Sequence, residues 1–157
     1  MSRFQNESFT KPRVNGIHLN VRDQGRGEPS LLFLHYWGWS SRTWDLVIDR
    51  LKNDFRCIAY DHRGWGDSDK PETGYSIKEL ANDVEALIQT LGLTRYVLIG
   101  HSMGGKAVQP LAAKRPRGLE ALILVAPAPP GLAFDLFYIV KCCHRFTLSV
   151  PIVSRSN

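Results

Sequence analysis

Apolar residues in this chain occur in two kinds of stretch that alternate: short unbroken runs, and longer segments with helical spacing. Ser30-Leu31-Leu32-Phe33-Leu34 is a continuous run of strand length, the pattern expected of a strand covered on both faces. Phe55 to Tyr60, Val97 to Ile99 and Leu119 to Val125 repeat it. Between these runs Trp44, Val47, Ile48 and Leu51 fall on one helical face. So do Ile77, Leu80, Ala81, Val84, Leu87, Ile88 and Leu91. Ser76 and Glu79 have capping-box spacing, and Gly92 followed by Leu93 supplies a left-handed C-cap with its apolar contact. A further helical segment is predicted from Lys106 to Arg115. Upstream, Val14 to Arg22 alternates around Asn15-Gly16 and predicts an opening hairpin, with a loop from Gln24 to Pro29.

Strands that alternate with helices predict an α/β fold with a mostly parallel sheet, right-handed crossovers and helices on both faces. Ligands on such sheets bind beyond the carboxyl ends of the strands. The loops after Leu34, Tyr60 and Gly100 all lie at those ends and should converge on one rim.

Composition narrows the function class. A chain of 157 residues with 43% hydrophobic and 22% charged residues suits one soluble domain. The net charge of +5 is spread over scattered Lys and Arg, which points to a solvated surface and to no nucleic-acid partner. Three cysteines make no even disulfide framework. Cys57 reads as a small buried hydrophobe, and Cys142-Cys143 lacks the second pair a zinc site needs. A reducing, cytoplasmic setting follows. Met1 to Thr10 is polar and mixed in charge, unlike a signal peptide. The longest apolar candidate, Leu132 to Val140, is interrupted by Asp135 and too short for a membrane span. No two histidines have metal-ligand spacing, and no cofactor is implied.

The candidate chemistry lies in Val97-Leu98-Ile99-Gly100-His101-Ser102-Met103-Gly104-Gly105. A strand runs into Gly-x-Ser-x-Gly and on into a helix, which is the context of a nucleophile elbow. Ser102 should sit at a strained turn with its hydroxyl projecting. Gly100 and Gly104 should flank it because a Cβ would collide as the helix folds back. His101 adjoins the serine, but a neighbouring side chain in such a turn points away from the hydroxyl, which argues against it as a base. His35 is expected to order its own loop. His62 is expected in an ion-paired turn, and His18 on the surface.

Three motifs in order, Phe33-Leu34-His35-Tyr36-Trp37-Gly38, Asp61-His62-Arg63-Gly64-Trp65-Gly66-Asp67-Ser68 and Gly100-His101-Ser102-Met103-Gly104-Gly105, resemble the amino-terminal half of an α/β-hydrolase. The likeness is strongest to the non-haem haloperoxidase, lactonase and small-ester hydrolase branch. It covers roughly Val14 to Pro130. The resemblance implies residues 1–130 as hydrolase core and 131–157 as a divergent tail, disordered or a remnant of the cap region, with the sheet truncated after about the sixth strand. It implies acyl, ester or lactone hydrolysis on a small ester-like substrate. Ser102 would be the nucleophile, and the backbone N–H groups of Met103 and Trp37 the oxyanion donors. Tyr36, Trp37 and Met103 would line the substrate pocket; Trp39 fits either the pocket wall or plain packing. Serine at the elbow argues against the epoxide hydrolases and dehalogenases of this fold, which use aspartate there.

The sequence departs from the family in four places. Tyr36 stands where the family has glycine. Pro110 interrupts the elbow helix, where it should produce a kink. Leu119 to Val125 would be a bare hydrophobic edge open to self-association. The carboxylate and histidine that complete a serine triad have only Asp135 and His144 as candidates, with eight residues between them, too few for the usual crossover. The readings are therefore a weakly active or inactive serine hydrolase, a non-catalytic ligand-binding module, or a nonfunctional truncated product.

Overall fold

The computed structural model describes residues 7–127. Asp135, His144, Cys142, Cys143 and the tail 131–157 lie outside the described residues. The elements are strands β1 (Glu7–Thr10), β2 (Arg13–Val14), β3 (Ile17–His18), β4 (Val21–Gln24) and β5 (Ser30–Leu34). A short 3-10 turn (Ser41–Trp44) then opens helix α1 (Asp45–Leu51). Strand β6 (Cys57–Tyr60), helix α2 (Ile77–Thr90), strand β7 (Tyr96–His101), helix α3 (Met103–Ala113) and strand β8 (Leu119–Val125) follow. The main sheet has six strands in the order β1-β4-β6-β5-β7-β8. β6, β5, β7 and β8 are mutually parallel, and β4 and β1 add to the β6 side antiparallel.

Strand order explains where the site forms. From β5 the chain crosses by α1 to β6 on one side, then returns by α2 to β7 on the other. Crossovers of one hand that travel in opposite directions put their helices on opposite faces and leave a crevice where the direction reverses. That crevice lies beyond the carboxyl ends of β5 and β7, where Leu34 pairs with Gly100.

The pleat sorts the core by parity. Leu31, Phe33, Cys57, Ala59, Val97 and Ile99 face α1 with Trp44 and Ile48. Leu32, Leu34, Ile58, Tyr60, Leu98, Leu122 and Leu124 face α2 and α3. The helices that cover the sheet are set by local chemistry. The α2 capping box closes as the spacing predicts, with the Glu79 N–H donating to Ser76 Oγ at 3.3 Å and the Ser76 N–H to Glu79 Oε2 at 2.8 Å. Gly92 ends the turn after α2 at φ +62°.

Several sequence expectations need correction. The opening hairpin is only β2 and β3, turned by Asn15 (φ +50°) and Gly16 (φ +86°). Val21 to Gln24, assigned to the end of that hairpin and to a loop, is a strand of the main sheet. The polar N-terminal stretch also contributes β1. Buried Arg22 holds it, donating to Glu7 at 2.7 Å and to Asp45, the first residue of α1, at 2.6 Å. α3 begins at Met103, three residues early, and runs through Pro110 without a break. Pro110 is on the exposed side, where water can serve the carbonyl it leaves unpaired.

One ion pair fastens the loop after β6 to α2. The Arg63 guanidinium donates to both oxygens of Asp83, at 2.6 and 2.7 Å, and to Gly74 O at 2.9 Å. Asp83 is 1% exposed and lies within the apolar stripe of α2. Its remaining described partner is the Asn15 amide at 2.9 Å. Arg63→Met leaves this carboxylate buried and unpaired, so urea unfolding should show a loss of about 3–5 kcal/mol. Arg63→Met with Asp83→Leu removes both charges and should recover most of it; an equal loss in both variants would show that the charge pair is not what matters.

Candidate active site

The turn from β7 to α3 is as tight as its glycines allow. A Cβ on Gly100 would stand 2.7 Å from Gly104 O and from the Gly105 backbone. One on Gly104 would stand 2.7 Å from Leu34 Cβ and Leu34 O. The helix therefore lies directly on β5 and β7, and the residue between strand and helix takes up the bend. Ser102 does so at φ +50°, ψ −109°, a backbone region a side-chain-bearing residue adopts only under constraint. Its N–H donates to Val125 O at 3.0 Å and its carbonyl accepts from Lys106 N–H at 3.0 Å, so both sides of the bend are bonded. The side chain is half-buried, and its hydroxyl has no hydrogen-bond partner among the described residues.

Met103 is the first residue of α3, so its N–H has no partner within the helix. The Trp37 N–H, in the loop after β5, also carries no hydrogen bond to a described residue. The flanking rings are arranged in two groups. Tyr36 stacks on Trp39 at 6.0 Å and meets the edge of His101 at 4.8 Å. Trp37 meets Trp65 at 6.5 Å, and Trp65 meets Tyr75 at 6.1 Å. Trp37 is 71% exposed, and the Met103 side chain packs against the core under α2 and α3. Two clefts, of about 360 and 630 Å³, open at the other end of the sheet, beside Tyr96 and beside Ser30 and Arg56. Both lie away from Ser102.

The loops after β5 and β6 meet on one rim through two imidazoles, and the Tyr36 ring reaches the elbow strand at His101. His35 and His62 are fully buried with ring centroids 4.3 Å apart. His35 Nδ1 is 2.7 Å from Tyr36 O, and His35 Nε2 accepts the His62 backbone N–H at 3.0 Å. His62 Nε2 reaches His35 O at 3.2 Å, and Tyr60 Oη lies 3.0 Å from His62 Nδ1. Carbonyls only accept, so Nδ1 carries the proton in His35 and Nε2 carries it in His62. The expected ion pairing of His62 is corrected: it is a neutral bridge, and the ion pair of that turn belongs to Arg63. Burial lowers the pKa of both rings, well below the usual range for His62, and outweighs the opposing pull of Asp61.

Asp61 gathers the same loops from below. Its carboxylate accepts from Ser41 N–H at 2.7 Å, the Asn20 amide at 2.9 Å and Asp67 N–H at 3.0 Å. Burial would raise its pKa, but these donors hold it below the ordinary carboxylate value. A Cβ on Gly66 would stand 2.2 Å from Asp61 Oδ2, which is why glycine occupies that place. The Asp61-to-Ser68 motif is thus a brace under the rim.

No described imidazole is bonded to the Ser102 hydroxyl. His35 and His62 use both ring nitrogens, and His18 faces Asp69 at 3.2 Å on the surface. His101 shares the α1 face with Val97 and Ile99, its ring against Tyr36 and 6.3 Å from Trp44. Burial lowers its pKa too. Among the described residues no group of three or more His, Cys, Asp or Glu is placed to hold a metal ion, and no helix is long and apolar enough to cross a membrane.

A sequence profile described as alpha/beta hydrolase fold matches residues 29–140. The 2-(acetamidomethylene)succinate hydrolase of Mesorhizobium japonicum is 39% identical over 74% of this chain and 41% of its own length. The non-heme chloroperoxidase of Streptomyces lividans is 38% identical over 74% of this chain and 43% of its own. The solved epoxide hydrolase CorEH superposes with a TM-score of 0.75 at 32% identity, covering 83% of this chain and 47% of that one. The chain therefore spans less than half the length of these relatives.

The buried imidazoles make stability depend on pH with a definite sign. Their folded pKa values lie below the unfolded value of about 6.5, so on acidification the unfolded chain takes up protons that the folded chain refuses. Their contribution is complete above about pH 6.5 and is lost as pH falls below it. Between pH 7 and pH 5 stability should therefore fall, with His62, the more strongly shifted of the two, contributing most. Urea titrations at the two pH values check this; unchanged stability would contradict the neutral bridge.

Proposed function

The chain belongs to the alpha/beta hydrolase fold family, and from that premise we propose that Ser102 is the nucleophile of acyl transfer on a small ester or lactone. The observation that carries the reading is the Ser102 backbone, held at φ +50°, ψ −109° between β7 and α3 with its hydroxyl unpaired. In this reading Ser102 Oγ attacks the acyl carbonyl. The negative charge that develops on the carbonyl oxygen is met by the Met103 and Trp37 N–H groups. The C–O bond to the leaving alcohol then breaks to give an acyl-serine, which water hydrolyses. Tyr36, Trp37 and Met103 are the proposed walls of the acyl pocket, and the exposed Trp37 ring offers it an apolar face. A relative named as a hydrolase supports the hydrolytic part of this reading.

The proton acceptor for Ser102 has no counterpart among the described residues. In this fold the carboxylate and histidine follow the elbow in sequence. Asp135 and His144 are the candidates within this chain. Lacking such a histidine, a serine hydrolase turns over on the order of 10⁶ more slowly, with roughly 10³–10⁴ over water left from the oxyanion donors and binding.

Slow covalent capture is accordingly a better test than turnover. A fluorophosphonate probe incubated for hours with the full chain should modify one serine, placed at Ser102 by peptide mass, and Ser102→Ala should abolish the adduct. Equal modification of both proteins would remove the reading. Saturable binding of small esters that is identical in both proteins, with no adduct, would instead favour a non-catalytic binding module.

A further inference from the structure

We propose that His35, held as its Nδ1–H tautomer, is a positioning residue that aims the Trp37 N–H through the rigid peptide between Tyr36 and Trp37. This rests on the reading of Trp37 as an oxyanion donor. A trans peptide is planar, and its C=O and N–H point in opposite directions. The only cis bond among the described residues is Glu28–Pro29, so the Tyr36–Trp37 unit is trans. Fixing the Tyr36 carbonyl therefore fixes the direction of the Trp37 N–H. His35 Nδ1 grips that carbonyl at 2.7 Å.

The tautomer that makes the grip possible is imposed from the neighbouring loop. His35 Nε2 receives the His62 backbone N–H at 3.0 Å, and a backbone N–H cannot reverse its role. The proton of the neutral ring is thereby forced onto Nδ1. His62 is itself held by the Tyr60 hydroxyl at 3.0 Å and by its bond to His35 O at 3.2 Å. A second proton on His35 would set N–H against N–H in a site with no exposure. The titratable groups around the pair are Tyr60, Asp61 and His62, with His101 across the Tyr36 ring. On the far side of the peptide, Tyr36 is wedged between Trp39 and His101, which restrains rotation about its axis. Glycine at this position would lack that wedge.

An ordinary packing role for His35 makes a different prediction from a positioning one. Asn places an amide N–H where Nδ1–H stands, while Gln places its polar atoms near Nε2. His35→Asn should keep the grip on the Tyr36 carbonyl, and His35→Gln should keep only the link to His62. Long-range ¹H–¹⁵N NMR on the full chain should show Nδ1 protonated in His35 and Nε2 in His62. The Trp37 amide resonance should stay in place in His35→Asn and move in His35→Gln. Fluorophosphonate capture at Ser102 should fall on the order of 10²-fold in His35→Gln, the size of losing one oxyanion donor, and stay within a few-fold in His35→Asn. An Nε2–H tautomer in wild-type His35, or equal effects of the two variants on the Trp37 amide, overturns the proposal. The tautomer measurement stands even where a variant fails to fold. A Trp37 amide that separates the variants while no protein captures the probe would sink the acyl-transfer reading and leave the aiming role intact.

Discussion

The packing of α3 directly against β5 and β7 is the contact on which the geometry of this rim depends. At Gly100 and Gly104 the helix and strand backbones meet at distances that exclude even a methyl group. With the backbones that close, no relaxed turn can join them, and the residue at the bend must leave the common backbone regions. Such a conformation costs about 1–3 kcal/mol. It persists because the sheet register and the two hydrogen bonds of Ser102 overdetermine it. The same closeness puts the first free N–H of the helix next to the bend. The strained backbone of Ser102 and the adjacent free N–H thus have one cause.

The second donor is organised differently. The loop after β5 has no regular structure, and its shape is imposed by side chains from the loop after β6. Asp61 draws in Ser41, Asn20 and Asp67, and the His35–His62 couple links the backbones of both loops. Arg63 carries the assembly down to α2. These residues are polar and buried, so each unmade bond would be expensive, and the network therefore admits one arrangement. Residues that look chemical in the sequence act here as a frame. Neutral imidazoles suit that task, since each can donate from one nitrogen and accept at the other without carrying charge into the interior.

The fold was largely legible because short unbroken apolar runs and 3.6-residue periodicity are direct consequences of burial. Leu31 to Leu34, the Ser76–Glu79 box and the Gly100–Gly104 pair each had a local physical signature. β1 and β4 did not. β1 is a polar edge strand and β4, between it and β6, is largely polar yet buried; Arg22 and its long-range carboxylate partners hold them, and nothing in local alternation reveals such a pairing. Asp83 left a trace that was available, a charge at an apolar-stripe position between Leu80 and Leu87, which calls for a buried cation such as Arg63. His62 could not be assigned from its motif alone, because its partners are a hydroxyl and a carbonyl brought together only by tertiary folding.

In the proposed reading, the described residues supply the electrostatic part of an acyl-transfer site and not its proton acceptor. The two parts are physically separable. The Met103 N–H needs only the close approach of β5, β7 and α3, and the Trp37 N–H needs the buried couple between the loops after β5 and β6. A general base needs an imidazole brought to the hydroxyl from later in the chain. The first part is fixed by the glycine contacts and by the buried polar network and resists loss, since relaxing it would mean repacking both. The second depends on a few side chains, and a chain can lack them without disturbing the fold. The strained serine and the N–H groups proposed as oxyanion donors are therefore consequences of folding alone, whether or not substrate is turned over.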